Sequence, residues 1–250
     1  MNIISWNVNG LQSCIKRQVF NPIEDILPDV FCCQEIKTKQ EPIVIEGYNH
    51  YFYPAEQDRY SGTMTMTIDE PLDVIRGIGV PELDTEGRVI TVDMGKIYVV
   101  NTYVPNSQKN LERRKYRREW DEAYAEFLKK LRERKPVVAC GDFNVAMLEI
   151  DFFEENLRQH YANLGYASDE QAGMEKIFQL GFSDAFRHLY PEERSYTWWS
   201  NRMYKRNENR GWRLDYFLIS NNCLDVIKDV IHHAEISGSD HCPIELEVSI

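Results

Sequence analysis

No run of apolar residues in this sequence approaches the roughly 20 that a membrane-spanning helix needs. The opening Met1-Asn2-Ile3-Ile4-Ser5-Trp6 has neither the charged stretch nor the long apolar stretch of a secretory signal. These absences exclude a membrane function and predict an intracellular protein, cytoplasmic, or nuclear in a eukaryote. Ser/Gly-rich and Pro-rich tracts, low-complexity segments and long runs of like charge are also missing, which argues against linkers and disordered tails. One domain over residues 1–250 is therefore expected. Cysteine is present at 14, 32, 33, 140, 223 and 242, but never with Cys-x-x-Cys spacing. Most of these thiols lie in apolar, strand-like contexts and are expected reduced in the core. Nothing marks a coiled coil or a large exposed apolar stripe, so a monomer is expected.

Positive charge is in deficit, and a net charge of −11 taken alone argues against binding a phosphate backbone. Its distribution reverses that reading. Residues 109–118 carry six basic side chains against one acid, and 202–213 carry five against one. Setting aside these islands of +5 and +4 leaves the other 228 residues at −20. Two positive islands on an acidic body suit local phosphate contact. The first island also fits a solvated helix face. The second combines cations with Tyr204 and Trp212, which offer stacking surfaces.

Short β-like runs fall at 2–7, 30–34, 62–68, 72–77, 88–93, 97–103, 136–141, 214–219, 229–235 and 243–249. Helical spacing is clearest over 111–134, with weaker candidates at 17–27, 154–164 and 168–180. Many strands with few helices predict layered sheets flanked by helices. Ile3 to Asn9 and Val138 to Val145 echo one another faintly, each an apolar strand that delivers Asn or Asp into a turn.

Polar residues recur where these strands meet loops. Asn7 ends one run, Glu35 another, and Asp142 and Asn144 follow a third. Asp215 heads the run after Trp212-Arg213-Leu214, and Asp240-His241 stand before the last one. An Asp that orients a His is a recurrent catalytic arrangement. Taken singly, each residue has a duller reading as a cap, a turn former or a solvated strand end, and Trp198, Trp199 and Trp212 as plain core. Their concurrence favours a site.

In order along the chain, Trp6-Asn7-Val8-Asn9-Gly10-Leu11, Gln34-Glu35-Ile36-Lys37, Tyr60-Ser61-Gly62, Glu86-Gly87-Arg88-Val89-Ile90, Tyr103-Val104-Pro105-Asn106-Ser107, Gly141-Asp142-Phe143-Asn144-Val145-Ala146, Tyr196-Thr197-Trp198-Trp199-Ser200, Gly211-Trp212-Arg213-Leu214-Asp215-Tyr216-Phe217 and Gly238-Ser239-Asp240-His241-Cys242-Pro243 resemble the exonuclease III branch of the exonuclease–endonuclease–phosphatase superfamily. That branch contains the apurinic/apyrimidinic (AP) endonucleases of base-excision repair. The resemblance implies a four-layered α/β sandwich, two mixed β-sheets face to face with helices outside, and a site at one end.

It also implies a Mg²⁺-dependent DNA repair nuclease, with Mn²⁺ as an alternative ion, that hydrolyses phosphodiesters as an AP endonuclease, a 3′–5′ exonuclease or both. Its partner would be double-stranded DNA with an abasic site or a 3′ end. Glu35 resembles the main metal ligand, assisted by Asn9 and Asp240. Asp142, Asn144, His241, Asp215, Tyr103 and Asn7 match catalytic positions. Whether Asp142 or His241 activates water stays open, since a neutral His could do so and a protonated one could hold a phosphate oxygen. Tyr60, Asn106, Lys109, Arg113, Arg117, Trp198, Arg202 and Trp212 match DNA-contacting positions, with Trp198, Trp212 and Leu214 forming the pocket for a baseless sugar.

The chain departs from the family after Ala146. Met147 stands where relatives have His, their Asn-Pro-Lys loop is missing, and Glu154 and Glu155 would repel phosphate. Asn201 to Tyr204 differ as well. Weaker abasic-site binding or an altered balance of activities is expected. The alternatives are a phosphoesterase of the same fold acting on small molecules, and a DNA-binding relative with reduced activity.

Overall fold

A computed structural model describes residues 1–42, 44–107, 113–153, 168–200 and 206–250. Twelve strands are found among them: β1 Asn2–Asn7, β2 Val30–Gln34, β3 Asn49–Tyr53, β4 Thr63–Thr67, β5 Val74–Arg76, β6 Val89–Asp93, β7 Tyr98–Tyr103, β8 Val137–Asp142, β9 Phe182–Asp184, β10 Asp215–Ser220, β11 Ile227–His232 and β12 Ile244–Val248. They form two six-stranded sheets, in the orders β11-β12-β1-β2-β4-β3 and β5-β6-β7-β8-β10-β9.

Each sheet has one parallel pair near its centre, β1 with β2 and β7 with β8, and antiparallel neighbours elsewhere. The two halves therefore repeat one pairing pattern, with β1 equivalent to β8 and β12 to β10. This accounts for the faint sequence echo, because Asn7 and Asp142 close equivalent strands.

Alternation along the central strands sorts their side chains between two apolar layers. Ile3, Val30, Val138, Phe217 and Ile244 pack into the core between the sheets. Ile4, Trp6, Phe31 and Cys33 face helix Leu11–Lys16 and helix Asn21–Ile26 on one outer face. Val100, Ala139 and Leu218 face the long helix Arg114–Arg132 and helix Ser168–Gln179 on the other, through Trp120, Tyr124, Leu128 and Met174. Strands covered on both faces read as nearly continuous apolar runs, which is why the central ones stood out in the sequence. The architecture is the α/β sandwich expected.

Two strands escaped the sequence reading. β3, Asn-His-Tyr-Phe-Tyr, is an edge strand whose half-buried residues give no clear apolar alternation, and β9 has only three residues. Of the helix expected over 17–27, only Asn21–Ile26 is helical, with Pro22 in its first turn; residues 17–20 form a turn that follows the earlier helix Leu11–Lys16. The helix expected at 154–164 lies outside the described residues. All six cysteines are free thiols, five buried and Cys223 half-buried.

Candidate active site at one end of the sandwich

The site assembles where β1, β2, β7 and β8 end and β10 and β12 begin. Gly141 makes the β8 terminus possible. It sits at φ +136°, and a Cβ there would stand 1.8 Å from Thr102 O, so only glycine permits this approach to β7. Left-handed backbone at Asn9, Glu35, Lys37 and Asn144 turns these side chains at the strand ends. Asn accepts that conformation readily, whereas at Glu35 and Lys37 it stores local strain.

A cavity of about 290 Å³ is lined by Glu35, Tyr103, Asn106, Asp142, Asn144, Trp198, Trp212, Leu214, Asp240 and His241. Asn7, fully buried, joins two acids by donating from Nδ2 to Glu35 Oε1 at 3.0 Å and to Asp142 Oδ2 at 2.9 Å. Asp142 Oδ1 also accepts from the backbone N–H of Asn144 at 2.8 Å. The Asn144 amide donates to Val104 O at 3.0 Å, and its oxygen accepts from Asn106 Nδ2 at 3.1 Å. Three amide side chains thus fix one carboxylate and its surroundings.

His241 holds Asp215 Oδ2 through Nδ1 at 2.8 Å and presents Nε2 toward Asp142 Oδ2 at 3.8 Å. Asp215 is held in turn by Thr197, whose hydroxyl donates to Asp215 Oδ2 at 2.6 Å and accepts from the Leu214 and Asp215 N–H groups. Burial opposes a charge on His241, but Asp215 and Asp142 outweigh it and raise its pKa to about 10. The imidazole is therefore a cation at neutral pH. Burial pushes Asp142 upward, His241 pulls it down, and the Asp215 and Glu35 charges push with burial, leaving it above the ordinary carboxylate range.

Glu35 behaves oppositely. Burial disfavours its charge, yet the Lys37 ammonium and the Asn7 amide prevail and lower its pKa. Lys37 Nζ lies 2.6 Å from Glu35 Oε2 and also donates to Asn9 Oδ1. Asn9 Nδ2 donates to Asp240 Oδ1 at 2.9 Å, and Trp198 Nε1 to Asp240 Oδ2 at 3.1 Å. Asp240 is likewise lowered, its burial outweighed by His241 and these two donors. Oxygens of Glu35 and Asn9 thus converge on a point that already holds a cationic group. Hard oxygen donors of this kind suit a divalent cation such as Mg²⁺. A second set, Asp142, Asp215 and His241, brings its ligand atoms within 4.8 Å of one another and could hold a metal by distance. Ligation there would require the imidazole to give up its proton.

The apolar wall is formed by Trp198, Trp212 and Leu214, with Phe152 and Ala146 behind. Trp198 and Trp212 meet edge to face, their centroids 6.2 Å apart. Tyr60 and Arg113 lie outside the cavity in a separate cluster, the Arg113 guanidinium donating to the Tyr60 hydroxyl. Arg117 corrects the sequence reading. It is 3% exposed, paired with Asp121 Oδ2 at 2.8 Å, and donates to Pro105 O and Phe143 O, so it braces two site loops from inside and offers no cation to a partner. Its place in a basic run concealed this. Lys109 and Arg202 lie outside the described residues.

Lys37, Thr197 and Arg88 were not given roles from sequence, although each stands inside a family motif. The spacing of Lys37 two residues after Glu35 was the available signal.

A model of the Endonuclease/Exonuclease/phosphatase family matches residues 4–241, and the chain belongs to that family. The exodeoxyribonuclease of Bacillus subtilis strain 168 is 41% identical over 254 residues, with both chains covered completely. Among solved structures, the AP endonuclease LMAP from Leishmania major superposes with a TM-score of 0.90 at 31% identity, over 98% of this chain and 86% of that one. The 3′ phosphatase NExo from Neisseria, bound to a product DNA hairpin, also gives 0.90, at 27% identity over the whole of both chains. Within the family the chain falls in the exonuclease III and AP endonuclease branch.

Proposed function

We propose that this chain is a Mg²⁺-dependent DNA repair nuclease that hydrolyses phosphodiesters at abasic sites and at 3′ ends, working as a monomer with residues 1–250 as one domain. One observation carries this reading: Glu35 and His241, 206 positions apart in sequence, line the same cavity with Asp142 between them. The full-length likeness to an exodeoxyribonuclease, and the likeness to an AP endonuclease and a 3′ phosphatase, support the reaction type and the DNA substrate.

Glu35, Asn9 and Asp240 would hold the cation. A bound Mg²⁺ supplies charge neutralisation at the phosphate. The cationic His241, anchored by Asp215, donates from Nε2 to a non-bridging phosphate oxygen. With the imidazole protonated, taking a proton from the attacking water falls to Asp142, whose raised pKa suits a proton acceptor near neutrality. Asn7 and the Asn144 backbone keep Asp142 aimed into the cavity, and Tyr103 stabilises charge that develops on the phosphate. Trp198, Trp212 and Leu214 enclose a sugar without a base and exclude one that carries it. Tyr60, Asn106 and Arg113, with Lys109 and Arg202, position the DNA backbone.

Turnover compared on an abasic duplex, a recessed 3′ end, an inositol phosphate and a free nucleotide, each with Mg²⁺ and with chelator, tests this. Metal-dependent cleavage of the DNA substrates is expected. Cleavage of the small phosphoesters with intact DNA overturns it in favour of a small-molecule phosphoesterase, and binding without cleavage in favour of a DNA-binding relative.

A further inference from the structure

Arg88, one residue before β6, pairs across the sheet with Tyr103 at the end of β7. The backbone contact is ordinary: the Tyr103 N–H donates to Arg88 O at 2.8 Å. The side chain then folds back over the same partner. Its Nη1 donates to Tyr103 O at 2.9 Å, and the guanidinium carbon lies 4.5 Å from the centroid of the Tyr103 ring. Tyr103 is thus held on both sides of its backbone and on one face of its ring, and a cation against that face favours a single ring orientation.

The guanidinium is itself fixed from outside. Nε donates to Glu86 Oε2 at 2.6 Å and Nη2 to the Tyr60 hydroxyl at 3.4 Å. The other Glu86 oxygen accepts from Arg113 Nη2 at 2.6 Å, and Arg113 donates to the same Tyr60 hydroxyl. Arg88 is 2% exposed, and a charge so buried persists only when paired and hydrogen-bonded. The neighbouring Gly87, at φ +60°, lets this segment pack against the backbone of Tyr53 and Pro54, where a Cβ would stand 2.4 Å from Tyr53 O.

We propose that Arg88 is the positioning residue for Tyr103, held in place by Glu86, and that through it Tyr60 on the outer wall and Tyr103 in the cavity share one rigid support. The assay rests on the nuclease reading, and a spectroscopic arm does not. In a double-mutant cycle, Arg88→Lys keeps the charge but loses the forked contacts, while Tyr103→Phe keeps the ring and removes the hydroxyl. Arg88→Lys should lower kcat on an abasic duplex about tenfold with KM within about threefold, yet cost less than about twofold in the Tyr103→Phe background. Arg88→Met should follow the same pattern with a larger loss. Equal losses in both backgrounds, or a loss confined to KM, overturn the proposal.

In ¹³C-tyrosine spectra of the DNA-free protein, Arg88→Lys should move the Tyr103 ring resonances more than those of Tyr124. An unmoved Tyr103 also overturns it. A wild-type protein that cuts no abasic duplex would sink the nuclease reading and leave the spectra to decide this one.

Discussion

His241 and Asp215 share a buried hydrogen bond of 2.8 Å, Nδ1 to Oδ2, and the Asp215 charge it brings close, with that of Asp142, keeps the imidazole protonated against burial. Replacing Asp215 by Asn keeps the size but removes the charge that raises the His241 pKa. Asp215→Asn should lower kcat roughly 10²-fold or more while DNA affinity changes little. Single-turnover kinetics with a parallel binding titration check this, and the pH at which His241 titrates by NMR should fall.

Glu35 is the principal oxygen donor at the proposed cation position. Glu35→Gln should weaken Mg²⁺ or Mn²⁺ binding about tenfold or more, read directly by calorimetry without DNA. Chelator should abolish wild-type cleavage, and readdition of Mg²⁺ should restore it.

Arg117 braces Pro105 and Phe143 from inside the fold. Arg117→Met leaves Asp121 buried without its cation and should cost about 3–5 kcal/mol in urea unfolding. A phosphate-contacting Arg would instead leave stability nearly unchanged and flatten the salt dependence of DNA binding.

At the outer edge of the first sheet, His233 Nε2 meets Glu245 Oε2 at 2.6 Å. Burial disfavours the His233 charge, but Glu245 and Glu235 outweigh it, raising its pKa above the ordinary 6.5. The hydrogen bond from His233 leads in holding Glu245 below 4.5 against partial burial. The His233 contribution to stability is complete below 6.5 and is lost as pH rises through the higher folded value. The Glu245 contribution is present above 4.5 and is lost as pH falls through the lower folded value. His233→Gln should therefore differ most from wild type between these pH values and converge with it on the alkaline side, as urea titrations across pH would show.

Much of the site was legible because polar residues at the ends of apolar strands are conspicuous. Asn7, Glu35 and Asp142 close, and Asp215 opens, runs that are almost wholly buried. What the sequence could not convey was the pairing that converges them. The central parallel strands of both sheets end together, so Asn7 reaches Glu35 on its neighbour and Asp142 on the opposite sheet. Arg117 was misread for a related reason: within Arg113 to Arg118 every cation looks alike, and only helix phase decides which one turns inward. Thr197 and Arg88 were silent because their roles are hydrogen bonds to residues 18 and 15 positions away. The short edge strand β9 carried too few residues for any period to show.

The most direct measurement is the single-turnover cleavage rate of Asp142→Asn on an abasic duplex with saturating Mg²⁺, set beside its DNA affinity. If Asp142 accepts the proton of the attacking water, the rate should fall by roughly 10³-fold while the dissociation constant stays within about threefold of wild type. A variant that cuts within about tenfold of the wild-type rate would contradict the account.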